Sequence, residues 1–237
     1  MRRLLSFAIV GLGIVLAAPP AFAQSPSFNL YLGGFTPAPL DSRGTDDVLF
    51  QNSAFLTTLN RDRGIDMKEF NGFTVGGEML FPFSRNLEGS LGLGFYQKSV
   101  PVVYTDVVNI NGQEIFQDLK MRVVPFSATV RYLPLGPNSP VQPYVGAGVG
   151  VLAYRYSETG EFVDSNSDIF VDSFKASGTA TGPIVLGGVR FPVGAVGVGG
   201  EIRWQGAKAD LPIEEGFAGS RIDLGGFNYL LTVNFRF

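Results

Sequence analysis

The chain contains no cysteine and no histidine. Without cysteine there is no disulfide framework and no thiolate to attack a substrate or hold a soft metal. Without histidine the usual Ser–His and Cys–His pairs are missing, together with the commonest general base. Carboxylate pairs remain at Asp46-Asp47 and Glu214-Glu215. Adjacent residues on a strand face opposite ways, however, and in a loop such pairs are ordinary solvated charge. Long blocks of Lys and Arg are also absent, which argues against a nucleic-acid partner. Gly146-Ala147-Gly148-Val149-Gly150 lacks the Lys-Ser/Thr that completes a phosphate loop. Asp164, Asp168 and Asp172, or Glu158 and Glu161, could offer oxygens to a hard cation, but without EF-hand spacing. The chain is therefore expected to be neither an enzyme nor a metal or cofactor carrier. Past Leu16 nothing approaches the roughly 20 apolar residues of a membrane helix.

The N-terminus reads as an export signal. Met1-Arg2-Arg3 is a positive start, Leu4 to Ala18 is almost wholly apolar, and Ala21-Phe22-Ala23 is a small-residue cleavage site before Gln24. Residues 1–23 are expected to be removed, leaving 24–237 as one barrel domain. The apolar run is too short for the alternative reading, an uncleaved anchor. Cleavage leaves 16 basic against 21 acidic residues, a net charge of −5. Mean hydropathy of the whole 237-residue chain, signal segment included, is +0.19, and the segment after the signal stays mixed rather than polar. A mixed average without a continuous apolar run implies apolar residues spaced by alternation.

That alternation is clearest at the C-terminus. Phe227, Tyr229, Leu231, Val233, Phe235 and Phe237 alternate with Asn228, Leu230, Thr232, Asn234 and Arg236. A period of two puts these sets on opposite faces of a strand, and the length suits the about 9–11 residues of a tilted membrane strand. Similar patterns occupy Phe28–Phe35, Phe73–Phe81, Leu87–Lys98, Val123–Tyr132, Pro183–Phe191 and Val196–Gln205. Tyr144–Tyr156 is ambiguous, because both phases are apolar up to Arg155. The fold class expected is all-β: an antiparallel up-and-down transmembrane β-barrel of about eight strands.

Loop lengths supply an independent signal. Segments 36–69, 99–119, 157–177 and 206–221 are long, whereas Pro82–Asn86, Pro134–Gln142 and Pro192–Ala195 are short. Outer-membrane barrels have short periplasmic turns and extended outer loops. Asp47–Leu59 is expected to form a helical turn or two, and Val102–Ile110 with Glu114–Met121 a hairpin above the membrane. Pro125 and Pro183 should mark bulges or strand ends, since a closed barrel has no free edge for a proline.

A soluble ligand-binding barrel would carry the same alternation with its apolar face inward. Three features favour lipid outside: aromatics near strand ends (Tyr132, Trp204, Phe235, Phe237), small residues on the polar face (Gly92, Gly94, Gly197, Gly199), and the asymmetry of the loops. The terminal strand also resembles the C-terminal signature of bacterial outer-membrane barrels. Pro143-Tyr144-Val145-Gly146-Ala147-Gly148-Val149-Gly150 resembles a Gly-rich strand of small OmpA-like and OmpW-like barrels. The resemblance implies an outer-membrane location and insertion machinery that reads Tyr229, Leu231, Val233, Phe235 and Phe237; it implies no activity. No periplasmic peptidoglycan-binding domain is expected.

The charges expected to face the lumen are Glu78, Glu88, Arg131, Arg190, Glu201, Arg203 and Arg236. With both signs present, they are expected to form an ion-pair network filling the interior of a monomeric structural or surface-interaction protein. The alternative is a selectivity lining in a narrow solute channel. An OmpW-like path for apolar solutes fits poorly with charges across the lumen. The long loops are the expected site of any extracellular partner, and outer-membrane lipid surrounds the wall.

Overall fold

The computed structural model describes residues 25–236 apart from Asn60, Ser165, Ile213 and Glu215. The expected signal segment and Phe237 lie outside the described residues. Eight antiparallel strands form the ring: β1 (Ser27–Pro37), β2 (Gly72–Pro82), β3 (Leu87–Val108), β4 (Glu114–Tyr132), β5 (Gln142–Val163), β6 (Ile169–Val193), β7 (Val196–Gln205) and β8 (Gly226–Arg236). Each strand pairs with its sequence neighbours, and β1 closes on β8 from Ser27↔Arg236 to Pro37↔Gly226. No helix among the described residues is long and apolar enough to cross a membrane.

The outward face carries Leu30, Leu32, Phe73, Leu91, Phe126, Val149, Val185, Ile202, Tyr229 and Leu231, all large and exposed. They form a continuous apolar belt, which in water would be an aggregation surface and in a bilayer is the lipid contact. Small side chains make room inside. A Cβ at Gly94 would come within 2.8 Å of the Tyr31 hydroxyl, and one at Gly188 within 2.6 Å of the Tyr144 hydroxyl.

The strands are longer than alternation suggested. β3, β4, β5 and β6 run for 22, 19, 22 and 25 residues. Segments 99–119 and 157–177 are thus mostly strand, joined by short turns near Gly112 and Ser167. The reason is a phase inversion. On the lower half of β4, Phe126, Val130 and Tyr132 face lipid while Ser127, Thr129 and Arg131 face inward. On its upper half Ile115, Leu119, Met121 and Val123 face inward, whereas Asp118, Lys120 and Arg122 face water. The apolar set changes face where the wall leaves the bilayer, so the pattern slips by one residue although the strand is continuous.

The prolines also correct an expectation, for neither sits at a bulge or strand end. Opposite Val124-Pro125 the β3–β4 ladder lapses at Gly94-Phe95 and then resumes in the same register. One absent N–H removes one rung. Pro183 lies within β6, where its carbonyl accepts from Gly206 N at 3.1 Å as β7 leaves the sheet. Its missing donor therefore faces an edge that is already ending.

Segment 38–71 is not a free outer loop. Asp47 caps helix α1 (Val48–Asn52), accepting from Leu49 N at 3.0 Å and Phe50 N at 3.2 Å. Leu56–Thr58 pairs with Val102–Tyr104, covering the edge of β3 above the end of β2. Val48, Leu49, Leu56, Ile65 and Phe70 are fully buried against Val100, Leu119, Met121, Leu152 and Tyr156. The segment is an apolar stopper in the upper barrel. Leu49→Asp would bury an unpaired carboxylate at a cost of several kcal/mol. The expected result is protease cleavage within 38–71 of the variant, with the wild type resistant and the heat-dependent gel shift of both intact.

Candidate functional site

All eight strands project polar side chains into the lower lumen. Glu78 (β2), Glu88 (β3), Arg131 (β4), Arg190 (β6), and Glu201 and Arg203 (β7) are all buried. Arg131 pairs with Glu78, reaches Glu201 at 3.0 Å and stands 3.9 Å from Glu88. Arg203 bridges the same two inner carboxylates, Glu201 at 2.6 Å and Glu78 at 3.2 Å. Arg190 holds Glu88 at 3.0 Å. Arg236 is half-buried and reaches the group through Gln142 Oε1 at 3.0 Å, an acceptor it shares with Arg190 Nε at 3.0 Å.

Neutral groups complete this layer. Asn29 donates to Glu78 at 2.9 Å and the Tyr144 hydroxyl donates to Glu201 at 3.0 Å. Arg131 lies 5.0 Å above the Tyr144 ring and Arg203 lies 5.1 Å above that of Tyr31. Guanidinium planes sandwiched between carboxylates and rings satisfy charge in a space too narrow for full hydration. The seven expected lumen charges thus meet in one cluster. Asn29, Tyr31, Gln142 and Tyr144 were missed, although inward polar residues at alternate positions of β1 and β5 carried the signal.

Above this layer the lumen turns apolar around the stopper, which a second polar clamp fixes. Arg43 donates to Asp47 at 3.0 Å and to the Asp223 carbonyl at 3.2 Å, while Asp223 N donates to Asp47 at 2.6 Å. Segment 38–71 is thereby tied to the connection between β7 and β8. Of the other acidic candidates, Asp46 pairs with Arg221 at 3.4 Å. Asp164 closes the β5–β6 turn by accepting from Asn166 N and Asp168 N, each at 2.8 Å. Glu214 stays in a surface turn, and Glu215 lies outside the described residues. Among the described residues no group of three or more acidic side chains is arranged to hold a metal ion.

No family model matches the chain, and no curated protein matches it. Solved structures do. The outer membrane protein OprG from Pseudomonas aeruginosa aligns over 90% of this chain and 97% of its own, with a TM-score of 0.50 at 14% identity. The fold is that of a small outer-membrane β-barrel. Two further structures align over 90% of this chain with lower scores. Neisserial surface protein A has a TM-score of 0.45 at 13% identity over 96% of its length. The N-terminal β-barrel domain of Pseudomonas aeruginosa OprF has 0.41 at 15% over 98% of its length. At these identities the likeness is one of fold. The barrel's own belt of exposed apolar side chains supplies the membrane contact, and closed antiparallel barrels of this form reside in the bacterial outer membrane.

Glu158 is a buried carboxyl with no ion-pair partner among the described residues. It stands on the upper part of β5, beyond the roughly 10 residues that cross the bilayer. It is buried and accepts from Asn52 at 2.7 Å and from the Tyr156 hydroxyl at 2.8 Å. Burial raises its pKa above the ordinary 4.5, against the opposing effect of these two hydrogen bonds. A raised carboxyl favours the fold when protonated, and that contribution is lost as pH rises through the raised value. Glu158→Gln keeps an acceptor for both donors and carries no charge. The variant should therefore resist urea better than wild type at neutral and mildly alkaline pH, the gap closing below about 4.5. A variant weaker than wild type at neutral and alkaline pH, but matched below about 4.5, would show that the ionised carboxylate is needed.

Proposed function

We propose that the barrel is a closed, monomeric surface protein whose lumen is sealed twice and conducts nothing. The observation that carries this reading is the cluster of Arg131 and Arg203 between Glu78 and Glu201, lying across the lumen directly beneath the apolar stopper. An eight-stranded barrel has an interior that side chains can fill. Here guanidinium–carboxylate pairs fill the lower part and Leu49, Leu56, Ile65 and Phe70 the upper. An ion or small solute would have to break buried pairs and then enter a hydrocarbon-like layer.

The reading is also non-catalytic. The inner carboxylates are held by guanidinium groups rather than poised beside a nucleophile, and histidine and cysteine are absent. What the barrel offers its surroundings is the raised rim of β3–β4 and β5–β6 hairpins, where any extracellular partner would dock. The closing strand turns Tyr229, Leu231 and Phe235 outward, which suits recognition by the barrel-insertion machinery.

Planar-bilayer recording of the refolded mature chain tests the seal. Wild type should be silent, and so should a variant lacking 44–66, because the ion-pair layer remains. Steps are expected only when that deletion is combined with Glu78→Ala, Arg131→Ala, Glu201→Ala and Arg203→Ala. Discrete steps from wild type that change with Arg131→Ala would overturn the closed-barrel reading in favour of a narrow channel. Arg131→Ala alone leaves two carboxylates short of a partner and should lower the urea unfolding free energy by about 3–5 kcal/mol.

A further inference from the structure

Four cations gather on the outer wall just above the lipid belt. Lys120 and Arg122 on β4, Arg155 on β5 and Lys175 on β6 are exposed, and with Gln97 and Ser157 they line a cleft of about 280 Å³. Arg122 stands directly opposite Arg155 in the β4–β5 ladder. Ser157 is paired with Lys120 on one side and Lys175 on the other. Like charges facing each other across a ladder destabilise it, and among the described residues none of the four has an ion-pair partner. The acidic Asp118 lies one outward step further from the membrane than Lys120 and makes no ion pair with it among the described residues.

The height of the cluster indicates what it meets. Arg122 and Arg155 are the first charged outward positions above Val124 and Ala153, where the unbroken outward apolar run of each strand ends. The Arg122 guanidinium lies 5.4 Å above the ring of Phe95, an exposed member of the belt. A long cationic side chain with its stem on a lipid-facing ring and its head at the water boundary is placed at headgroup level. We propose that this cluster binds the phosphate groups of an anionic lipid in the outer leaflet, whose acyl chains lie along Phe95, Val124 and Val151. Arginine forks suit phosphate oxygens, and two of them opposite one another form a clamp rather than a diffuse positive field. The inference does not depend on whether the lumen conducts.

The test uses the full mature chain refolded in zwitterionic micelles and titrated separately with short-chain phosphatidic acid, short-chain phosphatidylcholine and inorganic phosphate. Binding isotherms and arginine side-chain NMR shifts are read together. Phosphatidic acid should bind saturably, move two arginine resonances, and lose about tenfold or more in affinity in Arg122→Gln/Arg155→Gln, the equivalent of 1.4 kcal/mol or above. Phosphatidylcholine and inorganic phosphate should bind at least about tenfold more weakly than phosphatidic acid. Equal affinity in wild type and variant would overturn the proposal. So would inorganic phosphate binding as tightly as the lipid, which would mark a free-anion site instead. A heat-dependent gel shift checks folding, and Lys120→Gln/Lys175→Gln replaces the arginine pair if that variant does not fold.

Discussion

Hydrocarbon offers backbone N–H and C=O groups no water, so a strand in the bilayer must be paired on both sides. The pairing of β1 with β8 meets that demand by turning an open sheet into a ring. Much else follows from closure. The ring has a fixed and narrow bore, so an inward side chain on one strand meets inward side chains from strands far away in sequence. Glu78 and Arg203 are neighbours for this reason, not through proximity in the chain. Closure also explains why two prolines are tolerated inside strands. Each removes a single donor, and the ladders on either side hold the register across the gap.

The lumen divides into two media. Near the periplasmic end it is polar, crossed by arginine–carboxylate pairs; above, it is packed with apolar side chains from the wall and from segment 38–71. Outside, the order is reversed, with an apolar belt below and charged strands above. The wall therefore resembles a membrane protein in its lower half and a soluble protein in its upper half. Buried ion pairs contribute little net stability against apolar packing, but breaking one is costly. A charged lower layer is thus better understood as fixing which strands face one another than as a source of net stability.

The cationic cleft on β4–β6 sits where these two regimes meet on the outside. Its strands pass there from facing lipid to facing water. The proposed lipid-phosphate contact falls at that boundary. A soluble rim and a lipid-anchored base are thereby joined by one set of continuous strands.

Much of this was legible in the chain. Alternation in Phe227–Phe237 and Val196–Gln205 specifies strands and, through the one-face polarity of Glu201 and Arg203, which way they turn. Alternating loop lengths specify an up-and-down order. Three things were not legible. The upper halves of β5 and β6 were hidden, because the apolar face changes from outside to inside where the wall leaves the bilayer, and a periodicity read in one phase ends there; for β3 and β4 the expected hairpin of Val102–Ile110 with Glu114–Met121 is present, as a continuation of the membrane strands. The packing of 38–71 was hidden as well, since Val48, Leu49 and Ile65 have no period and find their partners only inside a closed ring. The partners of each lumen charge were undetermined, because pairing across the bore depends on the stagger of the strands around it. Local alternation and composition are properties of neighbouring residues, and these the sequence by itself determined. Who meets whom across the lumen is a property of the closed ring, and only the tertiary structure decided it.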